Sequence, residues 1–133
     1  VAYQPLVALD GGVVTGFEAL ARWTHPMRGA ISPAVFIPIA EEVGLIDALG
    51  ARVLRAACLE AARWPVAAGL GRAPGVHVNL STRQLRAAGL PALVREALAA
   101  SGLAPARLTL EITESALLHD DAATPATLHA LKA

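Results

Sequence analysis

Apolar residues recur along this chain in two patterns, one typical of strands and one typical of helices. Residues 1–9 alternate weakly between apolar and polar side chains and end at Asp10-Gly11-Gly12, a composition typical of a tight turn. Residues 13–23 continue as a second strand, so the two segments are predicted to form an antiparallel hairpin. Residues 25–29, "HPMRG", are predicted to form a further turn.

Four helices are predicted after this hairpin. They begin after Ser32 as N-cap with Pro33 at the first helical position, at Ile46, after Ser81 as a second N-cap, and at Thr124-Pro125. The helix over residues 46–64 has an apolar stripe of Leu49, Val53, Leu54, Ala57 and Ala61. The helix after Ser81 is predicted to extend to about Ala100 and to end at Gly102.

Two more strands, over residues 76–80 and 108–113, alternate with these helices. Alternating strands and helices favour βα units on a parallel sheet, so the predicted fold class is α/β. The strands are too few to close a barrel.

Composition and charge exclude several classes of protein. Hydrophobic residues make up 55% of the 133 residues and charged residues 17%, which is typical of a globular chain with a core. The formal net charge of zero gives no electrostatic footprint for nucleic acid or for an anionic membrane. No apolar stretch reaches the roughly 20 residues that a membrane span needs. The single cysteine, Cys58, is predicted to be a buried thiol and fits a cytoplasmic, reducing compartment.

Each of three strands carries a candidate oxygen ligand among apolar neighbours, namely Glu18, Asn79 and Glu111. With a side-chain period of two, Asn79 and Glu111 lie opposite the large apolar residues of their strands, and Glu18 shares its face with Leu20 and Arg22. A lone buried carboxylate is costly, but three oxygen donors that converge from one sheet could share a hard divalent cation. Carboxylate and amide oxygens suit Mg²⁺ or Mn²⁺ better than zinc.

Arg22 lies beyond Glu18, about 13 Å along an extended strand at ~3.3 Å per residue. It is therefore not expected to form a direct ion pair with Glu18. At the carboxyl end of a strand, a guanidinium suits a phosphate group.

Each of these residues also has a plainer interpretation. Glu18 could be an ordinary ion-paired strand residue, Asn79 a cap beside Ser81, and Glu111 part of a helix start. The run "HDD" at residues 119–121 fits a helix N-terminus better than a metal cluster. His77 has two possible interpretations, a structural role or a side chain that points into the barrel beside Asn79.

Six motifs in order resemble the EAL domain, the bacterial cyclic di-GMP phosphodiesterase family. They are "YQP" (residues 3–5), "GFEALARW" (16–23), "HP" (25–26), "SPAVFIPIAEEVGLI" (32–46), "VNLS" (78–81) and "LEITES" (110–115). The resemblance covers almost the whole chain. It implies a modified (β/α)₈ barrel of TIM type with one antiparallel strand, which agrees with the predicted hairpin.

The resemblance also implies an activity and a set of roles. The activity is metal-dependent hydrolysis of cyclic di-GMP to linear pGpG, with two Mg²⁺ or Mn²⁺ ions in the intact domain. Glu18 would be catalytic and a metal ligand. The implied further metal ligands are Asn79 and Glu111; the implied substrate contacts are Gln4, Leu20 and Arg22; and Glu114 would brace a loop.

The chain stops before other parts of the family pattern: an aspartate pair about eight residues past Ala133, then a lysine and a further glutamate. Residues 1–133 are therefore interpreted as a truncated EAL domain that lacks the C-terminal half of the barrel and is inactive alone. Its open sheet edge favours association, including a homodimer. The alternative is a non-catalytic EAL-type module that binds cyclic di-GMP or another protein. A third alternative, a barrel enzyme that uses Mg²⁺-assisted enolisation, has less support, because no lysine or histidine base is clear at a strand end.

Overall fold

The computed structural model describes residues 1–112 and 123–132 of the chain. The sheet that carries Glu18, Asn79 and Glu111 has four strands. The strands are β1 (Ala2–Val7), β2 (Val14–Leu20), β5 (Gly75–Leu80) and β6 (Leu108–Ile112), in the spatial order β1-β2-β5-β6. β1 pairs antiparallel with β2, whereas β2, β5 and β6 run parallel. The predicted α/β class and the single antiparallel strand are thus confirmed.

The turn between β1 and β2 follows from the glycines at its tip. Gly11 and Gly12 have φ values of 84° and 67°, a conformation that residues with a side chain rarely adopt. The amide of Ala8 donates to the carbonyl of Val13 at 2.9 Å and closes the turn. This confirms the predicted hairpin.

Five α-helices, a short 3-10 helix (Pro105–Arg107) and a second small sheet complete the described part of the chain. The helices are α1 (Pro33–Glu42), α2 (Ile46–Ala61), α3 (Thr82–Arg86), α4 (Leu90–Ser101) and α5 (Ala123–Lys132). The small sheet is a hairpin of β3 (Trp23–His25) and β4 (Gly29–Ile31). Trp23, predicted at the end of the second strand, therefore belongs to a separate strand, although residues 25–29 do form the predicted turn.

The predicted helix after Ser81 is wrong as a single element, because it divides into α3 and α4. Ala87 is extended, with ψ 118°, and Pro91 lies in the first turn of α4. Since Pro91 has no amide hydrogen and restricts the residue before it, the chain starts a new helix there. Gly102 ends α4 in the left-handed conformation with φ 69°, as predicted.

The core lies between the helices and one face of the sheet. Alternate residues of β5, namely Val76, Val78 and Leu80, are buried there against the α2 stripe and α4. Cys58 is fully buried in this core, and burial raises the pKa of its thiol to about 11. One face of the sheet is thus apolar and covered, so its polar residues lie on the other.

The amino ends of β5 and β6 are fixed by Arg107, which precedes β6. Its Nη2 donates to the carbonyl of Ala61 at the end of α2, at 2.6 Å, and to that of Pro74, at 2.9 Å. Its Nε also donates to Pro74 at 3.1 Å. These charge-assisted hydrogen bonds tie the end of α2 to the residues that precede β5 and β6.

Candidate functional site

The polar face of the sheet brings together the three oxygen donors predicted from sequence. Asn79 and Glu111 are directly paired across β5 and β6, and Glu18 is level with His77, two residues before Asn79. The Nδ2 of Asn79 donates to Oε1 of Glu18 at 2.6 Å, so side chains 61 residues apart in sequence are in contact. Glu18 and Glu111 are partly buried and Asn79 is exposed.

Glu111 is bound on the same face by a residue whose role the sequence left open. His77 Nδ1 lies 2.7 Å from Oε1 of Glu111, with 27% of the histidine side chain and 40% of the glutamate side chain exposed. His77 therefore does lie beside Asn79 on the polar face. Sequence reasoning missed its contact with Glu111, because that contact depends on the register of β5 against β6.

This donor set fits a hard divalent cation. Within the described residues, the Oε2 atoms of Glu18 and Glu111 have no hydrogen-bond partner. Asn79 can present its Oδ1 instead of its Nδ2 by a half-turn of its amide. Two carboxylates and one amide oxygen are ligands that suit Mg²⁺ or Mn²⁺. Counting histidine, cysteine, aspartate and glutamate alone, residues 1–112 and 123–132 contain no group of three placed to hold a metal ion.

Arg22 follows the carboxyl end of β2 and is exposed. Its Nη1 donates to the carbonyl of Ala21 at 3.0 Å. In the part of the chain that the structure describes, Arg22 forms no ion pair with Glu18, as expected from their spacing. Among residues 1–112 and 123–132, most of the guanidinium's hydrogen-bond donors therefore remain available to a ligand.

A cavity of about 160 Å³ lies beside Arg22. Its walls include Leu20 and Arg22 from the end of β2, Asn79 from β5, and apolar side chains of α1 and α2 such as Ile37. A cavity with apolar walls and a guanidinium at its edge suits a ligand that combines an apolar part with an anionic group such as a phosphate.

The remaining predicted site residues have different outcomes. Gln4 pairs with Glu18 across β1 and β2, so it lies on the same polar face, where it is exposed. Glu114 and the "HDD" run at residues 119–121 lie outside the described residues. Their predicted roles stay predictions.

The segment after Asn79 is held by a capping box that sequence reasoning recognised only in part. Ser81 Oγ accepts from the amide of Gln84 at 3.2 Å, and Gln84 Oε1 accepts from the amide of Ser81 at 3.1 Å. The S-x-x-Q spacing at residues 81–84 is the signal that could have found it. Gln84 is 5% exposed and packs against Gly50 of α2, where no side chain would fit.

Gly50→Ala is expected to destabilise the protein, although alanine is the better helix former by about 1 kcal/mol. A methyl group at residue 50 would overlap the Gln84 amide, and overpacking of this kind costs about 1–3 kcal/mol. Displacing Gln84 would also break the capping box, worth about 1 kcal/mol. Urea denaturation of both proteins measures the difference.

Gly89→Ala is a control for adding a methyl group where there is room, because nothing lies within 4 Å of a methyl group there. Gly89 is the N-cap of α4, where alanine is the poorer cap, so this variant is expected to lose up to about 1 kcal/mol and Gly50→Ala to lose more. If the Gly50→Ala variant were as stable as the wild-type protein, or more stable, that result would contradict the packing of Gln84 against α2.

The fold and the polar face together define an α/β sheet of three parallel strands and one antiparallel strand, with oxygen donors on three adjacent strands. A family model of the EAL domain matches residues 1–133, and the chain belongs to this family. Its fold is accordingly about half of the TIM-type barrel of that family.

Two relatives and one solved structure show that this chain corresponds to only part of longer proteins. The chain is 55% identical over 120 residues to an uncharacterized signaling protein of Caulobacter vibrioides. It is 42% identical over 132 residues to the bifunctional diguanylate cyclase/cyclic di-GMP phosphodiesterase MucR of Pseudomonas aeruginosa. These alignments cover 90% and 98% of the chain but 14% and 19% of the relatives.

The solved structure is the PaMucR phosphodiesterase in complex with c-di-GMP, which superposes with a TM-score of 0.88 at 41% identity. The superposition covers 98% of this chain and 52% of the MucR chain. The chain therefore spans about half the length of this solved relative. None of the described helices has the length and apolar character needed to cross a membrane.

Proposed function

We propose that this chain is the N-terminal half of an EAL domain that hydrolyses cyclic di-GMP to linear pGpG, in the cytoplasm. The observation that carries the proposal is the hydrogen bond between Asn79 and Glu18 on the face that also holds Glu111. It supports convergence of three oxygen donors from three adjacent strands, at the positions for which the family resemblance implies metal ligands.

In this proposal, Glu18, Asn79 and Glu111 hold Mg²⁺ or Mn²⁺. When bound, the metal polarises the phosphoryl oxygens and lowers the pKa of a coordinated water. The two carboxylates supply the negative charge that makes the polar face selective for a cation. The amide supplies a neutral oxygen and, in the structure as described, fixes the rotamer of Glu18.

Substrate binding is assigned to the cavity beside the oxygen donors. Arg22 contacts a phosphate of cyclic di-GMP through the guanidinium donors that its bond to Ala21 leaves available. Leu20 contributes to the apolar wall on which a guanine ring can pack. Gln4 lies on β1 opposite Glu18 and contacts the substrate from that edge of the sheet.

We further propose that residues 1–133 alone are inactive. The chain covers 52% of the MucR phosphodiesterase structure, and the family resemblance puts an aspartate pair, a lysine and a glutamate in the other half. A second metal ion then lacks ligands in the isolated chain. The edge strand β6 is left unpaired on one side among the described strands, which favours association with a second copy.

A second candidate function is a non-catalytic module that binds cyclic di-GMP. The observation that favours it is that both carboxylates already have hydrogen-bond partners within the chain, Glu18 with Asn79 and Glu111 with His77. One oxygen of each carboxylate is thus bound without a cation, and Arg22 with its cavity could bind the dinucleotide without cleaving it.

The two functions are separated by incubating the full-length protein that carries this chain with cyclic di-GMP and Mn²⁺. Binding is measured by calorimetry with Ca²⁺ in place of Mn²⁺, and the products are measured by chromatography. We expect binding with Ca²⁺ and a product with Mn²⁺ alone. Binding without any product would favour the binding module, and absence of binding would contradict both functions.

A further inference from the structure

His77 contacts a proposed metal ligand on the polar face, and neither the family motif nor the proposed function assigns it a task. It lies in the middle of β5, level with Glu18 on β2 and with Thr109 on β6. Its side chain extends toward the carboxyl end of β6, where its Nδ1 lies 2.7 Å from Oε1 of Glu111. Because a carboxylate can only accept, Nδ1 is the donor.

The other side of the imidazole ring faces Gly16 of β2. A Cβ atom at Gly16 would lie 3.4 Å from the Cδ2 and Nε2 atoms of His77 and 2.9 Å from the carbonyl of Gly75. Gly16 thus leaves room for the ring where a larger residue would press on it. His77 is held between β2 and Glu111 and is not a freely rotating surface side chain.

This arrangement gives the two carboxylate oxygens of Glu111 different surroundings. Oε1 is bound by His77, and Oε2 has no partner among residues 1–112 and 123–132. Ligating carboxylates in metal sites are commonly held by a hydrogen bond of this kind, which fixes the direction of the ligand oxygen. With Nδ1 donating to Glu111, and Nε2 packed toward Gly16, the ring has no nitrogen directed at Glu18 or Asn79.

We propose that His77 is a positioning residue that holds Oε1 of Glu111, so that the carboxylate presents its other oxygen to the divalent cation. This inference rests on the proposed function, because it assumes that Glu111 is a metal ligand. It goes beyond that function in giving His77 a task and in naming the atom through which it acts.

The test is Mn²⁺ binding by the full-length protein without cyclic di-GMP, followed by electron paramagnetic resonance of the free ion. His77→Leu is expected to raise the Kd for Mn²⁺ about 10–100-fold, the usual effect of removing such a partner. His77→Asn is expected to stay within about threefold of the wild type, because the Nδ2 of asparagine can replace the Nδ1 of histidine as donor. Thr109→Val is the control, since Thr109 lies beside His77 on the same face.

Activity with saturating Mn²⁺ provides a second measurement. A positioning role predicts that excess Mn²⁺ restores most of the kcat of His77→Leu, whereas a general loss of structure would not be reversed by the metal. Circular dichroism checks folding, and His77→Ala replaces His77→Leu if the leucine variant does not fold.

Two results would overturn the inference while leaving the proposed function standing. One is wild-type Mn²⁺ affinity in His77→Leu, and the other is equal loss in His77→Leu and His77→Asn. A wild-type protein that binds no Mn²⁺ would instead contradict the proposed metal site, and the task of His77 with it.

Discussion

Glu18→Ala is expected to abolish hydrolysis of cyclic di-GMP by the full-length protein. The variant removes one of three oxygen donors on the polar face and leaves the Asn79 amide without its acceptor at 2.6 Å. Loss of a residue that only supports a metal ligand costs about 10–100-fold, so loss of a ligand should lower kcat/KM by more than about 100-fold. Initial rates of product formation, measured by chromatography at several Mn²⁺ concentrations, give the ratio.

Glu42→Ala is the matched control for this experiment. Glu42 is an exposed glutamate at the end of α1 that is not among the proposed site residues, and its removal should leave kcat/KM within about twofold. Glu18→Gln separates charge from shape, because it keeps an oxygen for Asn79 but lacks the carboxylate. If either Glu18 variant kept activity within tenfold of the wild type, Glu18 would not be a metal ligand.

Leu54→Ala is expected to produce the largest loss of stability among the variants considered. Leu54 is 1% exposed and belongs to the cluster that packs α2 against the apolar face of the sheet. Truncating a buried leucine costs about 2–5 kcal/mol, because the lost burial is joined by the cavity that remains. The measurement is the midpoint of urea denaturation, with the slope checked for constancy.

Leu59→Ala provides the comparison on the same helix. Leu59 is 46% exposed, so the same chemical change should cost no more than about 0.5–1 kcal/mol. Helix propensity changes equally in the two variants, and their difference isolates burial. Similar losses for both leucines would mean that α2 does not bury Leu54 against the sheet.

The faces of the strands could be predicted from sequence because burial imposes a strict period of two. In β5, Val76 and Val78 are almost fully buried while Asn79 is exposed, as their alternation indicates. The same rule put Glu18 and Glu111 on the polar face, where pairing between strands now places them. The hairpin was predictable because glycines are required at its tip.

Short elements and side-chain partners could not be predicted in this way. β3 and β4 have three residues each, too few for a periodic pattern, so the small hairpin was missed. The contact of His77 with Glu111 spans 34 residues and depends on a register that no local pattern specifies. By contrast, the division between α3 and α4 had a local signal in Pro91, and Ser81 with Gln84 had the spacing of a capping box.

The central claim is that Glu18, Asn79 and Glu111 form the metal site of a cyclic di-GMP phosphodiesterase. Its most direct test is the identification of the product when the full-length protein is incubated with cyclic di-GMP and Mg²⁺ or Mn²⁺, beside residues 1–133 alone. The account predicts linear pGpG from the full-length protein, none after removal of the metal with a chelator, and none from residues 1–133. Cyclic di-GMP that is bound but remains intact, with either metal present, would contradict it.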